Sequence, residues 1–298
     1  MKRGLQKALL AGIALWALVS LAACVSVDKL MFHPPRPAYG EDLPGLVRIE
    51  DGGGAVAALW SPAGNAEGAV LFFHGNAEDI RFHSATLRRF NRLGWSALAV
   101  DYPGYGRSEG TPTEKGAYRA AEAGWRFLTE TQGIAPEKIV VCGFSIGTGP
   151  ACWLAAREKP AGLLLFAPFK SAVRVVTGIR ILPFDPFPNL ARVPRTRCPV
   201  LVLHGTADRV IPSWHGKAIA TAAGDRGRFI PVPGATHVSV FRAAFADPGT
   251  VAILRAFLAS RAESAEFVEW RPTPEHTGRF RVDDPSPRGA GAPLSVAA

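Results

Sequence analysis

Cysteine is scarce in this chain of 298 residues: Cys24, Cys142, Cys152 and Cys198 are all there is, and no two stand as Cys-x-x-Cys. No two of the seven histidines stand as His-x-x-x-His. The spacings that usually hold zinc are therefore missing, and no metal is expected. There is no Gly-Lys-Ser/Thr, and "GTGPAC" (147–152) lacks the third glycine of a dinucleotide fingerprint, so no nucleotide cofactor is expected. No Lys/Arg run is interleaved with aromatics, and no internal repeat occurs. The formal net charge of +9 invites a nucleic-acid reading. Scattered basic residues, three of them (Lys2, Arg3, Lys7) in the first seven positions, instead suit a surface tolerant of anionic lipid headgroups, with no nucleic acid as partner.

The chain opens on a basic "MKRGLQK", followed by the uncharged apolar run "ALLAGIALWALVSLAA" at 8–23. Sixteen residues are short of the ~20 that span a bilayer as a helix. The run ends in Leu21-Ala22-Ala23-Cys24, which resembles the bacterial lipoprotein signal. Small residues at 22 and 23 suit a peptidase cleft, and the Cys24 thiol is the one good nucleophile nearby for lipid transfer. The expectation is a signal peptide at 1–23 and a lipid on Cys24. The mature chain would then be anchored on a membrane of the bacterial envelope, facing the periplasm or exterior. Val25 in place of aspartate disfavours inner-membrane retention by resemblance to enterobacterial sorting rules. The three other cysteines cannot all pair and read as small buried apolar residues, with one disulfide left open by an oxidising compartment.

A Pro-rich stretch, "FHPPRPAYGEDLPG", reads as a tether over 24–45. "LVRIED" and "GAVAALWSPAG" suggest a hairpin, after which apolar strand-like runs alternate with helix-like ones to about residue 262. Continuous runs such as "GAVLFFHGN" and "KIVVCGFS" suit strands buried on both faces. The alternation predicts an α/β domain over 46–262: a mostly parallel sheet with helices on both faces. An insertion at about 170–197 is too long for a plain connection and reads as a small lid-like excursion. The Pro/Gly-rich, charged tail at 263–298 is expected to be disordered.

Two serines stand in a Gly-x-Ser-x-Gly pattern, Ser145 in "VCGFSIGTGP" and Ser108 in "GRSEG". Context separates them. Ligands of open parallel sheets sit beyond the carboxyl ends of strands, and "IVVC" runs straight into Gly143 while an apolar helix follows Ser145. A sharp strand-to-helix turn needs tiny residues two before and two after the serine, which Gly143 and Gly147 supply. Ser108 lies seven residues past its strand and just before Thr111-Pro112, in loop sequence. A serine hydroxyl also needs a base. His33, His83, His215 and His276 read as surface residues, and His74 as a support for its loop; His237, after the last short strand, is the candidate. Asp208, after the preceding strand, is the candidate carboxylate, with Asp225 and Asp247 as weaker rivals. Oxyanion donors are expected at the backbone N–H of Ile146 and of Asn76, with Gly75 the alternative to Asn76.

"LFFHGN", "DYPGYGRSEG", "VCGFSIGTG", "PVLVLHGTADRVIP" and "GATH", in this order over about 46–260, resemble the α/β-hydrolase superfamily. With "PFDPFPNL" they look closest to its membrane-associated serine-hydrolase branch, which includes protein depalmitoylases and uncharacterised bacterial lipoproteins. The lipoprotein signal and the tail are departures from that branch. The resemblance implies the α/β-hydrolase fold and a triad of Ser145, Asp208 and His237 acting on an acyl ester or thioester through an acyl-enzyme. Serine peptidase and acyltransferase share that triad and stay open; a non-catalytic membrane-anchored scaffold is the alternative from another class. Phe169, Ile181, Phe184 and Phe187 either line an acyl-chain pocket or pack the insertion against itself.

Overall fold

The computed structural model describes residues 2–177 and 185–259. Eight strands, β1 (Leu46–Glu50), β2 (Ala55–Ser61), β3 (Gly68–Phe73), β4 (Trp95–Val100), β5 (Ile139–Phe144), β6 (Gly162–Phe166), β7 (Val200–Gly205) and β8 (Gly227–Val232), form one sheet. Their order is β1-β2-β4-β3-β5-β6-β7-β8. The hairpin β1–β2 joins β4 antiparallel, and every pairing from β4 to β8 is parallel. This is the α/β-hydrolase fold expected from the sequence.

The helices are α1 (Lys2–Met31), α2 (Ser84–Arg92), α3 (Glu114–Arg126), α4 (Thr148–Ala155), α5 (Ala172–Thr177), α6 (Asn189–Arg192), α7 (Trp214–Ala222), α8 (Val240–Ala246) and α9 (Pro248–Ala259). Residues in β3 to β7 are buried without alternation because helices cover both faces. The period of two still sorts them: Leu71 and Phe73 join the core beneath α3, α4 and α7, whereas Val70 and Phe72 join the core beneath α2, α8 and α9. The carboxyl ends of β3 and β5 to β8 lie along one edge, so the loops after them converge there.

Three expectations need correction or completion. The stretch at 24–45 is no free tether. Helix α1 runs past Cys24 to Met31, and Phe32, 4% exposed, inserts its ring among Tyr102, Tyr105 and Phe187. Burying two aromatics, Phe32 and Tyr39, outweighs the freedom the prolines between them already restrict. A short helix, α8, follows His237 because Val240, Phe241 and Ala244 fill the core beside Phe72 and Phe166. The insertion carries α5 and α6; Ile181 and Phe184 lie outside the described residues, as do the tail and His276. Cys24 falls within α1, but its side chain is outside what is described. Cys142, Cys152 and Cys198 are free and buried, and burial pushes the Cys198 thiol up to about 12.

Candidate active site

The chain turns sharply from β5 into α4 through the single turn Ser145–Gly147. Ser145 sits there at φ +51°, a left-handed conformation that costs a residue other than glycine ~1–3 kcal/mol. A Cβ on Gly143 would lie 2.5 Å from the Gly147 carbonyl oxygen, and one on Gly147 would lie 2.2 Å from the Phe73 oxygen and 2.5 Å from that of His74. Both motif glycines are thus fixed by backbone approaching backbone. The Thr148 hydroxyl donates to the Ser145 carbonyl at 2.7 Å and steadies the turn. Ser108 is spent elsewhere: its hydroxyl oxygen accepts the Ala57 N–H at 2.9 Å and ties its loop to β2.

His237 Nε2 lies 2.9 Å from Ser145 Oγ, and His237 Nδ1 lies 2.7 Å from Asp208 Oδ2. A carboxylate only accepts, so the proton belongs on Nδ1, which leaves Nε2 as acceptor for the serine hydroxyl. The Phe144 ring lies beside the imidazole, with centroids 5.2 Å apart. Asp208 Oδ1 accepts the N–H groups of Val210 and Ile211 at 2.9 and 2.8 Å. Burial pushes the Asp208 carboxyl up, but hydrogen bonds from His204, His237 and the Ile211 N–H outweigh it and hold the group well below the usual carboxylate range. The rival carboxylates are not at the site. Asp247 accepts the Thr250 N–H at the start of α9, and Asp225 lies in the turn before β8.

The third component is the loop after β3. The Gly75 N–H donates to Glu78 Oε1 at 2.5 Å, which removes Gly75 as an oxyanion donor. Among the described residues, the backbone N–H of Asn76 makes no hydrogen bond, and Ile146 stands in the turn directly after Ser145. The Asn76 side chain is fully engaged: Oδ1 accepts from the His33 N–H (2.9 Å), the Tyr105 hydroxyl (2.6 Å) and the Ala77 N–H (3.1 Å), and Nδ2 donates to the Met31 carbonyl (2.7 Å). The segment that follows α1 is therefore strapped onto this loop. The Ala38 N–H donates to Asp79 Oδ2 at 2.7 Å, and the Tyr39 hydroxyl to Asp101 Oδ2 at 2.5 Å, extending the strap.

A family model described as serine aminopeptidase, S33, matches residues 64–182. The alpha/beta hydrolase domain-containing protein aho-3 of Caenorhabditis elegans is 33% identical over 242 residues, covering 72% of this chain and 73% of that protein. The chain belongs to the α/β-hydrolase superfamily. Human alpha/beta hydrolase domain-containing protein 17B is 40% identical over 158 residues, covering 52% of this chain; this hydrolase thus spans 55% of that relative's length. Two solved structures share the fold: an esterase of Pyrococcus furiosus (TM-score 0.60, 17% identity, covering 76% of this chain and 96% of that one) and a puromycin-hydrolyzing peptidase of Mycobacterium tuberculosis (TM-score 0.56, 18% identity, covering 73% and 39%).

Around the site, this α/β-hydrolase uses groups that the sequence reading passed over. His83 and His215, read as surface residues, are buried. His83 Nε2 lies 2.9 Å from Glu78 Oε1, with its ring against Phe72, so it braces the carboxylate that holds Gly75. His215 Nδ1 accepts the Lys170 N–H at 3.2 Å, and burial together with Lys170 pulls its imidazole down to about 4. His204 Nε2 donates to the Ile211 carbonyl at 2.8 Å and lies 3.3 Å from Asp208 Oδ2, placing a second imidazole on the candidate acid. His74 does support its loop: Nδ1 lies 2.7 Å from the Gly75 carbonyl, and Nε2 3.0 Å from Asp101. Burial pulls the His74 imidazole down, but the Asp101 carboxylate beside it outweighs that and leaves it raised. Phe169 and Phe187 are buried against each other, and Phe187 also meets Phe32 and Tyr118. These two rings pack the insertion onto the core and do not form an open acyl groove.

Proposed function

We propose that this α/β-hydrolase cleaves carboxylic ester or thioester bonds through an acyl-enzyme, with Ser145 as nucleophile, His237 as general base and acid, and Asp208 as its orienting carboxylate. The observation that carries the proposal is the unbroken line from Ser145 Oγ to His237 Nε2 and from His237 Nδ1 to Asp208 Oδ2, at 2.9 and 2.7 Å. As Ser145 Oγ attacks the acyl carbon, its proton passes to His237 Nε2, and Asp208 stabilises the imidazolium. The carbonyl oxygen gains the electron pair and is met by the N–H groups of Asn76 and Ile146. Collapse of the adduct expels the alcohol or thiol, which takes the proton from His237. Water, deprotonated by the same imidazole, then frees the acid and restores Ser145.

Cys24 as a lipid-bearing residue, and a location on the bacterial envelope, belong to this proposal and are supported by the "LAAC" sequence. A second reading, serine peptidase, is favoured by the serine aminopeptidase description of the matching family model. It shares every step up to the leaving group, so turnover of matched ester, thioester and peptide substrates separates the two. The test of the mechanism is labelling with a fluorophosphonate. Folded protein is expected to label at Ser145, and Ser145→Ala to lose both the label and about 10³- to 10⁶-fold in kcat. Labelling that survives Ser145→Ala would sink the proposal.

A further inference from the structure

Among the described residues outside α1, the large apolar side chains most open to solvent are Phe82 (60% exposed), Val210 (60%), Trp214 (47%) and Val238 (83%). All four belong to the loops and helix starts that carry the candidate site. Val238 is next to His237, Val210 lies two residues and Trp214 six residues beyond Asp208, and Phe82 lies six beyond Asn76. Each sits in a loop or helix start directly after β3, β7 or β8, on the edge where the parallel strands end. The chain neighbours of two of them are joined beneath the surface: the ring of His83, next to Phe82 in the chain, meets Phe241, Phe241 meets Phe144, and Phe144 meets His237, next to Val238. Apolar groups gathered at one rim mark an interaction surface, whereas scattered ones do not.

The charged groups next to these side chains are cationic. Arg81 and Arg209 are exposed beside Phe82 and Val210, and the Lys170 ammonium lies 4.6 Å from the centre of the Trp214 ring. In the loops after β3 and β7, Asp79 and Asp208 are buried, and Glu78 is held by Gly75 and His83. Helix α1 leaves the domain on this edge as well, since Met31 is bonded to Asn76. An apolar rim with cationic flanks, on the edge where the segment after Cys24 meets the domain, has the composition of a surface that lies on anionic lipid.

We propose that the catalytic edge docks on an anionic lipid bilayer, with Phe82, Val210, Trp214 and Val238 entering the interface, so that substrate reaches Ser145 from the membrane. The docking rests on exposure and charge and not on the reaction, so bilayer contact and ester turnover are read separately.

The test uses the mature protein, beginning at lipid-bearing Cys24, reconstituted in phosphatidylcholine vesicles with and without phosphatidylglycerol. A polarity-sensitive thiol fluorophore is placed at Val238→Cys and, at the opposite edge of the sheet, at the exposed Glu137→Cys. Cys142, Cys152 and Cys198 are buried, and wild type labelled in parallel sets the background. The expected result is a blue shift and quenching by brominated acyl chains at 238, stronger with phosphatidylglycerol, and an aqueous signal at 137. The double variant Phe82→Ser/Trp214→Ser should lose about tenfold or more in turnover of a bilayer-embedded ester, while p-nitrophenyl acetate turnover stays within about twofold. A probe at 238 as aqueous as that at 137 overturns the docking, and equal burial without phosphatidylglycerol overturns its anionic preference. Absence of burial together with a raised KM for a soluble long-chain ester assigns these side chains to acyl-chain binding instead.

Discussion

Replacing Asn76 with alanine removes every hydrogen bond of one side chain while leaving the proposed backbone donor in place. Four bonds go: those from the His33 N–H, the Tyr105 hydroxyl and the Ala77 N–H, and the one to the Met31 carbonyl. At about 0.5–1.5 kcal/mol net for each neutral bond, and with the His33 N–H still able to donate to Tyr105 at 3.0 Å, the loss comes to about 2–4 kcal/mol. Spread over a domain of this size, that is a fall in Tm of about 4–16 °C. The strap and the loop after β3 are the parts that loosen, so the larger effect falls on the Asn76 N–H. A single oxyanion donor contributes about 10²–10³ in kcat when it is deleted outright, and a displaced one should cost at least about tenfold. The assay is kcat and KM on a soluble p-nitrophenyl ester beside thermal unfolding, with Tyr105→Phe as a one-bond companion expected to show a fraction of both effects. Lowered Tm with unchanged kcat would refute the reasoning, because it would make the strap a stabilising contact with no hold on the donor.

Gly147→Ala brings a Cβ to 2.2 Å from a backbone oxygen of β3, so it should destabilise by about 3 kcal/mol or more and abolish fluorophosphonate labelling, as measured by denaturant unfolding and by probe. Asp208 has a folded-state pKa below its unfolded value, so its contribution to stability is fully present above about pH 4 and is lost as pH falls through the folded value. Asp208→Asn should therefore flatten the acid limb of the stability–pH curve. It should also lower kcat by orders of magnitude, because the amide no longer selects the Nδ1–H tautomer of His237. For His74 the sign is opposite. Its folded pKa is raised, so its contribution is full below about pH 6.5 and lost as pH rises through the folded value; His74→Gln should remove that alkaline loss in a urea titration at several pH values.

Sequence reasoning located the groups whose positions follow from the sheet. Buried parallel strands announce themselves as unbroken apolar runs, and side chains that follow such runs end up on one edge; Ser145 and Asp208 are legible for that reason, whereas His237 follows the half-buried β8, GRFIPV, and was legible from its place between the last strand and the last helix. Position alone set Asn76 ahead of Gly75; the bond that engages the Gly75 N–H, to Glu78, is one that no spacing rule predicts. His83 and His215 were misread because a histidine's burial depends on which ring or carbonyl lies opposite, here Phe72 for one and the Lys170 amide for the other. The strap was read as a tether because prolines and polar residues dominate it. Two aromatics, Phe32 and Tyr39, and the backbone around them do the fastening.

The atoms of the strap that hold Asn76 are a carbonyl oxygen and an amide hydrogen, groups carried by nearly every residue type. Those two bonds therefore do not fix which residue stands at 31 or 33, although the Met31 side chain also packs against the core; what they fix is the number of residues that places them, counted from the Phe32 ring and from Tyr39. In this region insertions and deletions are the damaging class of change and substitutions the tolerated one. Chains that share the device need share no letters there, only a register.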